Sequence, residues 1–119
     1  MEETIKLLPI GSVVKLKNGN HRLMIIGYTP FTPEGKEKMY DYFACFYPEG
    51  YSDPNLLFVF NNNMIEKIYD EGFSDHEEKS FRNKVNKIVN DIKDSTGRIK
   101  LSDEELSKYI SNIVKGGQK

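Results

Sequence analysis

The order of apolar and polar positions divides this chain into two halves with different periods. Residues 9–70 contain short apolar runs and alternating stretches separated by turn residues, a pattern typical of β-strands. Residues 74–115 instead carry apolar side chains three and four positions apart, as amphipathic helices do. The pattern predicts an α+β fold, in which about five strands form a small antiparallel sheet or partly open barrel, followed by two C-terminal helices.

A β-hairpin is the clearest prediction in the first half. Asn18-Gly19 separates two β-rich runs, residues 12–17 and 21–28, and this dipeptide favours a type I′ turn, which needs positive φ at both central residues. Residues 23–26 form an unbroken apolar run. We therefore expect the second strand to lie in the centre of the sheet and to be covered on both faces.

Three further strands are predicted beyond a loop. Residues 29–37 contain two prolines and a glycine, which deny regular pairing and predict the loop. Residues 38–47 then alternate, which places on one face Tyr40, Tyr42, Ala44 and Phe46, and on the other Met39, Asp41, Phe43, Cys45 and Tyr47. Shorter apolar runs predict strands at residues 56–60 and 64–69, with an asparagine-rich turn between them.

Two amphipathic helices are predicted in the second half. Ser74 and Glu77 fit a capping box at the start of the first helix, residues 74–94, whose apolar stripe consists of Phe81, Val85, Ile88, Val89 and Ile92. Another capping box opens the second helix, residues 102–115, whose stripe consists of Leu106, Tyr109, Ile110 and Ile113. We expect the first stripe to pack on the sheet. The second helix either packs on the first or stays free to bind a partner.

The length and composition of the chain fit one globular domain spanning residues 1–119. With 38% apolar and 29% charged residues, the chain can bury a core without disulfides or metals. The formal net charge is -1, with six Lys/Arg against seven Asp/Glu in residues 1–60 and eleven against eleven in residues 61–119. Nucleic-acid binding draws on a basic face. Because no basic run is present, the charge pattern disfavours that class of function.

Cysteine usage and hydropathy predict a cytoplasmic protein. Cys45 is the single cysteine, so no internal disulfide can form. No stretch approaches the ~20 apolar residues of a membrane helix. The acidic N-terminus lacks the apolar centre of a signal peptide. We therefore expect no membrane insertion.

No group of side chains in the sequence predicts catalysis. His21 and His76 have no second histidine or cysteine at metal-ligand spacing. Cys45 lies in a strand among aromatic residues, where a free cysteine is usually part of the core. The acidic pair Glu77-Glu78 lies in a helix first turn, where it complements the helix dipole. The expectation is a non-enzymatic protein with no metal and no cofactor.

The aromatic strand at residues 38–47 is the most suggestive feature. Most of its rings are expected to pack in the core, and surplus rings can form a docking surface, since tyrosine is favoured at protein interfaces. An aromatic sheet face can also stack single-stranded bases, but that mode adds Lys and Arg between the rings. Asp41 is the only charge between Tyr40 and Tyr47.

Several segments of the chain resemble a known family. Residues 8–16 (Leu-Pro-Ile-Gly-Ser-Val-Val-Lys-Leu) and residues 23–28 look like the opening of a family of small proteins of Gram-positive bacteria. The genes of that family lie in type VII secretion clusters, near LXG polymorphic toxins. The resemblance covers roughly residues 8–82, and its later parts are Asp41-Tyr42, the asparagine-rich turn, residues 65–68 and Glu71-Gly72-Phe73.

The resemblance implies a cytoplasmic accessory of toxin export, a chaperone or targeting adaptor that binds one cognate LXG toxin. It brings no catalytic residues with it. We expect the binding surface on the exposed part of the aromatic strand with the loop at residues 30–35, or on the last helix. The candidate residues are Phe31, Tyr40, Tyr42, Leu106, Tyr109 and Ile113. Two alternatives stay open: an immunity protein that neutralises the toxin, and a small-barrel nucleic-acid-binding protein.

Overall fold

The structure, a computed structural model, describes residues 5–28, 31–32 and 35–116. Within these ranges the strands precede the helices, so the α+β fold with an open antiparallel sheet is confirmed. The strands are β1 (Val13–Leu16), β2 (Leu23–Tyr28), β3 (Phe31–Thr32), β4 (Gly35–Met39), β5 (Tyr42–Phe46), β6 (Phe58–Phe60) and β7 (Ile65–Asp70). The helices are α1 (His76–Ile92) and α2 (Asp103–Gly116), and short 3-10 turns cover Pro54–Leu56 and Asn62–Met64.

Five strands form the main sheet in the order β6-β5-β2-β1-β7, and every neighbouring pair is antiparallel. The apolar second strand, β2, lies in the centre as predicted. Its coverage on both faces was overestimated, because Leu23 and Ile25 are buried while Met24 and Ile26 are only half-buried. One face of this sheet is therefore covered more completely than the other.

The predicted hairpin between β1 and β2 is present, but its turn is longer than two residues. The strands pair only as far as Val14 with Leu23, so eight residues separate the last paired positions. Of the turn dipeptide, Asn18 alone adopts a positive φ, 65°. A type I′ turn requires both strands to stay paired up to the turn. Pairing between β1 and β2 stops before the turn, so that condition is not met.

The predicted long strand at residues 38–47 is interrupted, and part of the predicted loop at residues 29–37 is a strand pair. β3 and β4 form a separate two-stranded sheet, with Phe31 opposite Met39. The chain then breaks at Asp41, whose backbone N–H donates to Asn61 Oδ1 at 3.1 Å and whose side chain accepts from the Asn62 N–H at 2.7 Å. These bonds replace strand pairing at that point.

The main core lies between one face of the sheet, which we call the core face, and α1. The buried apolar residues of this core are Ile5, Leu7, Val14, Leu23, Ile25, Tyr42, Ala44, Phe60, Val85 and Val89. Burying an isoleucine, leucine, valine or phenylalanine side chain stabilises the fold by about 1.5–3 kcal/mol. α1 was predicted to pack on the sheet, and its residues Val85 and Val89 do so.

The N-terminal segment, residues 5–8, is held between α1 and the sheet. The Ile5 N–H donates to Asn90 Oδ1 at 2.8 Å and the Leu7 N–H to Asn86 Oδ1 at 2.9 Å. The Tyr28 hydroxyl donates to the Leu8 carbonyl at 2.6 Å. Side-chain amides of α1 thus replace the strand partners that this extended segment lacks.

Each helix begins with a side-chain cap, one of them a residue later than predicted. At α1 the cap is Asp75, whose carboxylate accepts from the Glu78 N–H at 2.9 Å, while the Ser74 hydroxyl donates to the Glu78 side chain. At α2 the predicted reciprocal box is confirmed, because Ser102 and Glu105 each bond the other's backbone N–H.

α2 packs on α1, which is one of the two arrangements left open by the sequence. Leu106 is buried in a second cluster with Ile92 and Met39. The Tyr109 hydroxyl donates to Asp91 Oδ2 at 2.7 Å. Burial and the neighbouring carboxylate raise the pKa of Tyr109 to about 12.

Candidate functional site

The structure does not assemble the predicted partner-binding residues into one surface. Tyr42 is fully buried, so its assignment to a docking surface was wrong. The alternation correctly grouped Tyr42 with Ala44 and Phe46, but that group lies on the core face, which α1 covers. Tyr40 is half-buried between β4 and β5.

The candidate residues on α2 are also less exposed than predicted. Leu106 was wrongly assigned to a free face, because it is buried against Ile92, and Tyr109 is half-buried beside Asp91. Phe31 and Ile113 belong to β3 and α2, but their side chains lie outside the described residues. Positions 30, 33 and 34 of the predicted loop surface lie outside them as well.

A buried ion pair connects the end of α1 to the sheet. Lys93 Nζ lies 2.6 Å from Asp41 Oδ1, and their side chains are 0% and 1% exposed. The ammonium group also donates to Asn61 Oδ1 at 3.3 Å and to the Asp94 carbonyl at 3.2 Å. Because solvent does not reach these groups, the cluster ties elements together and offers no site to a ligand. No local sequence pattern indicates the pair, since Asp41 and Lys93 lie 52 positions apart.

The other reactive side chains are also accounted for. Cys45 is buried as predicted, with its thiol 4.0 Å from the Met24 carbonyl. His21 lies on the surface, 3.0 Å from the Glu49 carboxylate, and this hydrogen bond lowers the pKa of Glu49. In the part of the chain that the structure describes, no three His, Cys, Asp or Glu side chains group in a way that could hold a metal ion.

Two glycine-containing segments cross in direct backbone contact. A Cβ atom on Gly72 would lie 2.2 Å from the Ile10 carbonyl oxygen, a distance that no side chain tolerates. Gly11, beside it, has a φ of 97°. The buried Ser12 hydroxyl donates to the Pro9 carbonyl at 2.7 Å and accepts from the Gly72 N–H at 3.0 Å. The serine therefore bonds both segments at once and fixes the crossing.

Three large apolar side chains are exposed around this crossing: Ile10 at 43%, Phe73 at 80% and Phe81 at 53%. We call these three residues the motif patch. Ile10 and Phe73 flank the backbone contact. The Phe81 ring lies 6.2 Å from that of Tyr28, whose hydroxyl donates to the carbonyl of Leu8, two residues before Ile10. Burial raises the pKa of Tyr28 to about 12, and the Glu78 charge adds to the rise.

Phe81 was predicted to belong to the core stripe of α1, and that assignment was wrong. The core contacts of the helix begin one turn later, at Val85. A buried phenylalanine would contribute to stability, whereas an exposed one does not. Exposed apolar residues that gather at one place mark interaction sites more often than isolated ones do. The motif patch is therefore the strongest candidate for a protein-binding surface.

The face of the sheet opposite α1, which we call the outer face, carries buried, half-buried and exposed side chains. Cross-strand partners share a face, which places there Val13, Met24, Phe43, Cys45 and Val59. At one end of the sheet the Arg22 guanidinium lies 4.9 Å from the ring centre of Tyr47 and 5.5 Å from that of Tyr69. The Lys67 ammonium lies 4.7 Å from the Tyr69 ring.

The fold and the candidate site define a small α+β protein with an open antiparallel sheet and an exposed apolar patch. A family model described as "Domain of unknown function (DUF4176)" matches residues 7–81, which is more than half of the chain. The chain belongs to this family. The matched range contains both crossing segments and all three residues of the motif patch, and it excludes α2.

Comparisons with curated proteins and with solved structures each find no match to the chain. In the part of the chain that the structure describes, no helix has the length and apolar character needed to cross a bilayer.

Proposed function

We propose that this protein is a non-enzymatic cytoplasmic accessory of type VII secretion, a chaperone or targeting adaptor that binds a cognate LXG toxin. The motif patch is the contact surface in this proposal. The resemblance of residues 8–16 and 71–73 to proteins encoded beside such toxins supplies the partner. The family match leaves the partner open, so this part of the proposal depends on that resemblance.

The observation that carries the proposal is the exposure of Phe73 on a fixed backbone. Phe73 is 80% exposed, and the residue before it is locked against Ile10. A rigid aromatic side chain loses little conformational entropy on binding, which is why such residues anchor interfaces. Covering the parts of the three patch side chains that are still exposed would supply roughly 3–5 kcal/mol, before the entropic cost of association is subtracted.

A chaperone with this surface acts by covering an apolar region of the toxin until export. The toxin's exposed apolar side chains pack on Phe73 and its neighbours, which keeps them out of contact with other toxin molecules. Release requires a competing surface on the secretion machinery. No bond is made or broken in this mechanism.

The test is binding to the LXG toxin encoded nearest to this chain's gene. Phe73→Ser should weaken the interaction at least tenfold in calorimetry, since truncating a buried phenylalanine costs about 1.5–3 kcal/mol. Tyr51→Ser is the matched control, because Tyr51 is an aromatic residue with 59% exposure outside the motif patch. It follows the end of β5, which pairs with the start of β2. Tyr51→Ser should bind within about twofold of the parent chain. Unchanged affinity of Phe73→Ser would remove the motif patch from the proposal.

Fragments of the toxin distinguish an adaptor from an immunity protein. The proposal expects binding to the isolated N-terminal LXG fragment. Binding confined to the isolated C-terminal toxic domain would instead support the immunity role and overturn the adaptor role.

One observation favours nucleic-acid binding as a second candidate. The outer face places Arg22 between Tyr47 and Tyr69, which is the interleaving of rings and cations that the strand at residues 38–47 lacks. Anisotropy of a labelled single-stranded oligonucleotide tests it at about 50 mM salt. Binding that weakens with added salt and is lost in Arg22→Ala would support this function, and no binding at low salt would end it.

A further inference from the structure

Four acidic residues lie close in sequence to Phe73, and we call them the acidic rim of the motif patch. The rim consists of the exposed residues Asp70, Glu71, Asp75 and Glu77. No Lys or Arg occurs in residues 68–78. Glu78 is excluded from the rim because its carboxylate lies 3.0 Å from the Arg82 guanidinium. Among the described residues, Glu71 and Glu77 have no ion-pair partner.

The local structure explains only half of these carboxylates. Asp75 caps α1 and Glu77 lies in its first turn, where negative charge meets the positive end of the helix dipole. Asp70 ends β7 and Glu71 follows it, five or more positions before the helix begins, outside the reach of that dipole. The excess of negative charge thus extends over the whole segment that presents Phe73.

We infer that the motif patch receives a basic amphipathic segment of the partner protein, with apolar side chains against Phe73 and Phe81 and Lys or Arg against Glu71 and Glu77. This inference rests on the proposed function and names the chemistry of the partner. Complementary charge is how interfaces select a partner and its orientation, while the apolar contact supplies most of the affinity. The same negative rim repels acidic protein segments and anionic surfaces.

The expected salt dependence follows from exposure. Rim carboxylates are open to solvent, so their attraction to a basic segment is screened as the Debye length shrinks from about 14 Å at 50 mM salt to about 6 Å at 300 mM. The apolar contact does not weaken with salt. Affinity should therefore fall with added salt without vanishing.

Two synthetic peptides of about 18 residues, five helical turns, provide the probe. One carries leucine on one face and lysine on the other, and the second replaces every lysine by glutamate. The full chain should bind the lysine peptide at least tenfold more tightly than the glutamate peptide. Equal binding of both peptides, or of neither, would overturn the inference.

Two double variants have the same net charge and differ in where the reversed charges lie. Glu71→Lys with Glu77→Lys reverses two rim charges, and Glu49→Lys with Glu104→Lys reverses two exposed charges elsewhere. Each double variant changes the formal net charge from -1 to +3. The rim variant should lose at least tenfold in affinity for the lysine peptide and for the LXG toxin, and the control should stay within threefold. Equal losses in both would show attraction by net charge alone and overturn the inference.

These measurements separate failure of the inference from failure of the proposed function. If Phe73→Ser loses toxin binding and the rim variant keeps it, the patch binds the toxin but the partner segment is not basic. If both variants keep toxin binding, the motif patch is not the contact surface and the inference fails, whereas the proposed function itself fails if the unmodified chain does not bind the toxin.

Discussion

Removing Lys93 should destabilise the protein more than removing any exposed lysine. In Lys93→Met the apolar stem stays in place while the ammonium group, 2.6 Å from Asp41 Oδ1, is lost. The Asp41 carboxylate then remains buried without its counter-charge, 1% exposed. Breaking one side of a buried ion pair costs about 3–5 kcal/mol, because the remaining charge keeps its desolvation penalty.

That cost is large compared with the stability of a domain, which is typically about 5–15 kcal/mol. At roughly 4 °C per kcal/mol for a chain of this size, the midpoint of thermal unfolding should fall by about 12–20 °C. Circular dichroism during thermal and urea denaturation at neutral pH measures both quantities. Lys108→Met is the control, because the Lys108–Glu104 pair is exposed, with side-chain exposures of 76% and 82%, and exposed pairs contribute little.

A double variant tests whether charge is the cause. Asp41→Asn keeps an oxygen acceptor for the Asn62 N–H, which now bonds Asp41 Oδ2, and removes the negative charge. Combined with Lys93→Met it leaves no buried charge at the pair, so the double variant should be more stable than Lys93→Met alone. A loss below about 1 kcal/mol in Lys93→Met, or strictly additive losses in the double variant, would refute the reasoning.

Two further predictions concern the backbone crossing and its tyrosine. Gly72→Ala should destabilise the protein by about 1–3 kcal/mol in urea denaturation, because its Cβ would meet the fixed Ile10 carbonyl. Gly27→Ala should cost less, since only the ring of Phe43 must move. A larger loss of stability in Gly27→Ala than in Gly72→Ala would contradict this geometry. The raised pKa of Tyr28, about 12 when folded against about 10 when unfolded, means that its contribution to stability is complete below pH 10 and is lost as the pH rises towards 12. The stability of Tyr28→Phe should therefore fall less steeply with pH above pH 10 than that of the unmodified chain. An equally steep fall in both proteins would contradict the raised pKa of Tyr28.

Much of the fold follows from local sequence patterns. The change of period at residue 74 separates strands from helices because each element must turn one apolar face toward a core. Strand order does not follow in this way. The pairing of β1 with β7 joins segments about 50 residues apart, and no local pattern in either strand specifies that neighbour.

The candidate site also depends on contacts that local sequence patterns do not specify. Alternation groups side chains by face, but it does not say which face a helix will cover, and this is why Tyr42 was assigned to the surface. Both segments of the crossing were recognised as parts of a resemblance, whereas their contact through Gly72 and Ile10 is visible only in three dimensions.

The most direct test of the motif patch as the partner-binding surface is a comparison of backbone amide NMR spectra of the full chain with and without the N-terminal LXG fragment. The proposal predicts shifts concentrated at residues 8–11 and 70–82, with residues 51–57 unchanged. Shifts confined to the outer face around Arg22, Tyr47 and Tyr69, or no shifts at saturating fragment, would contradict it.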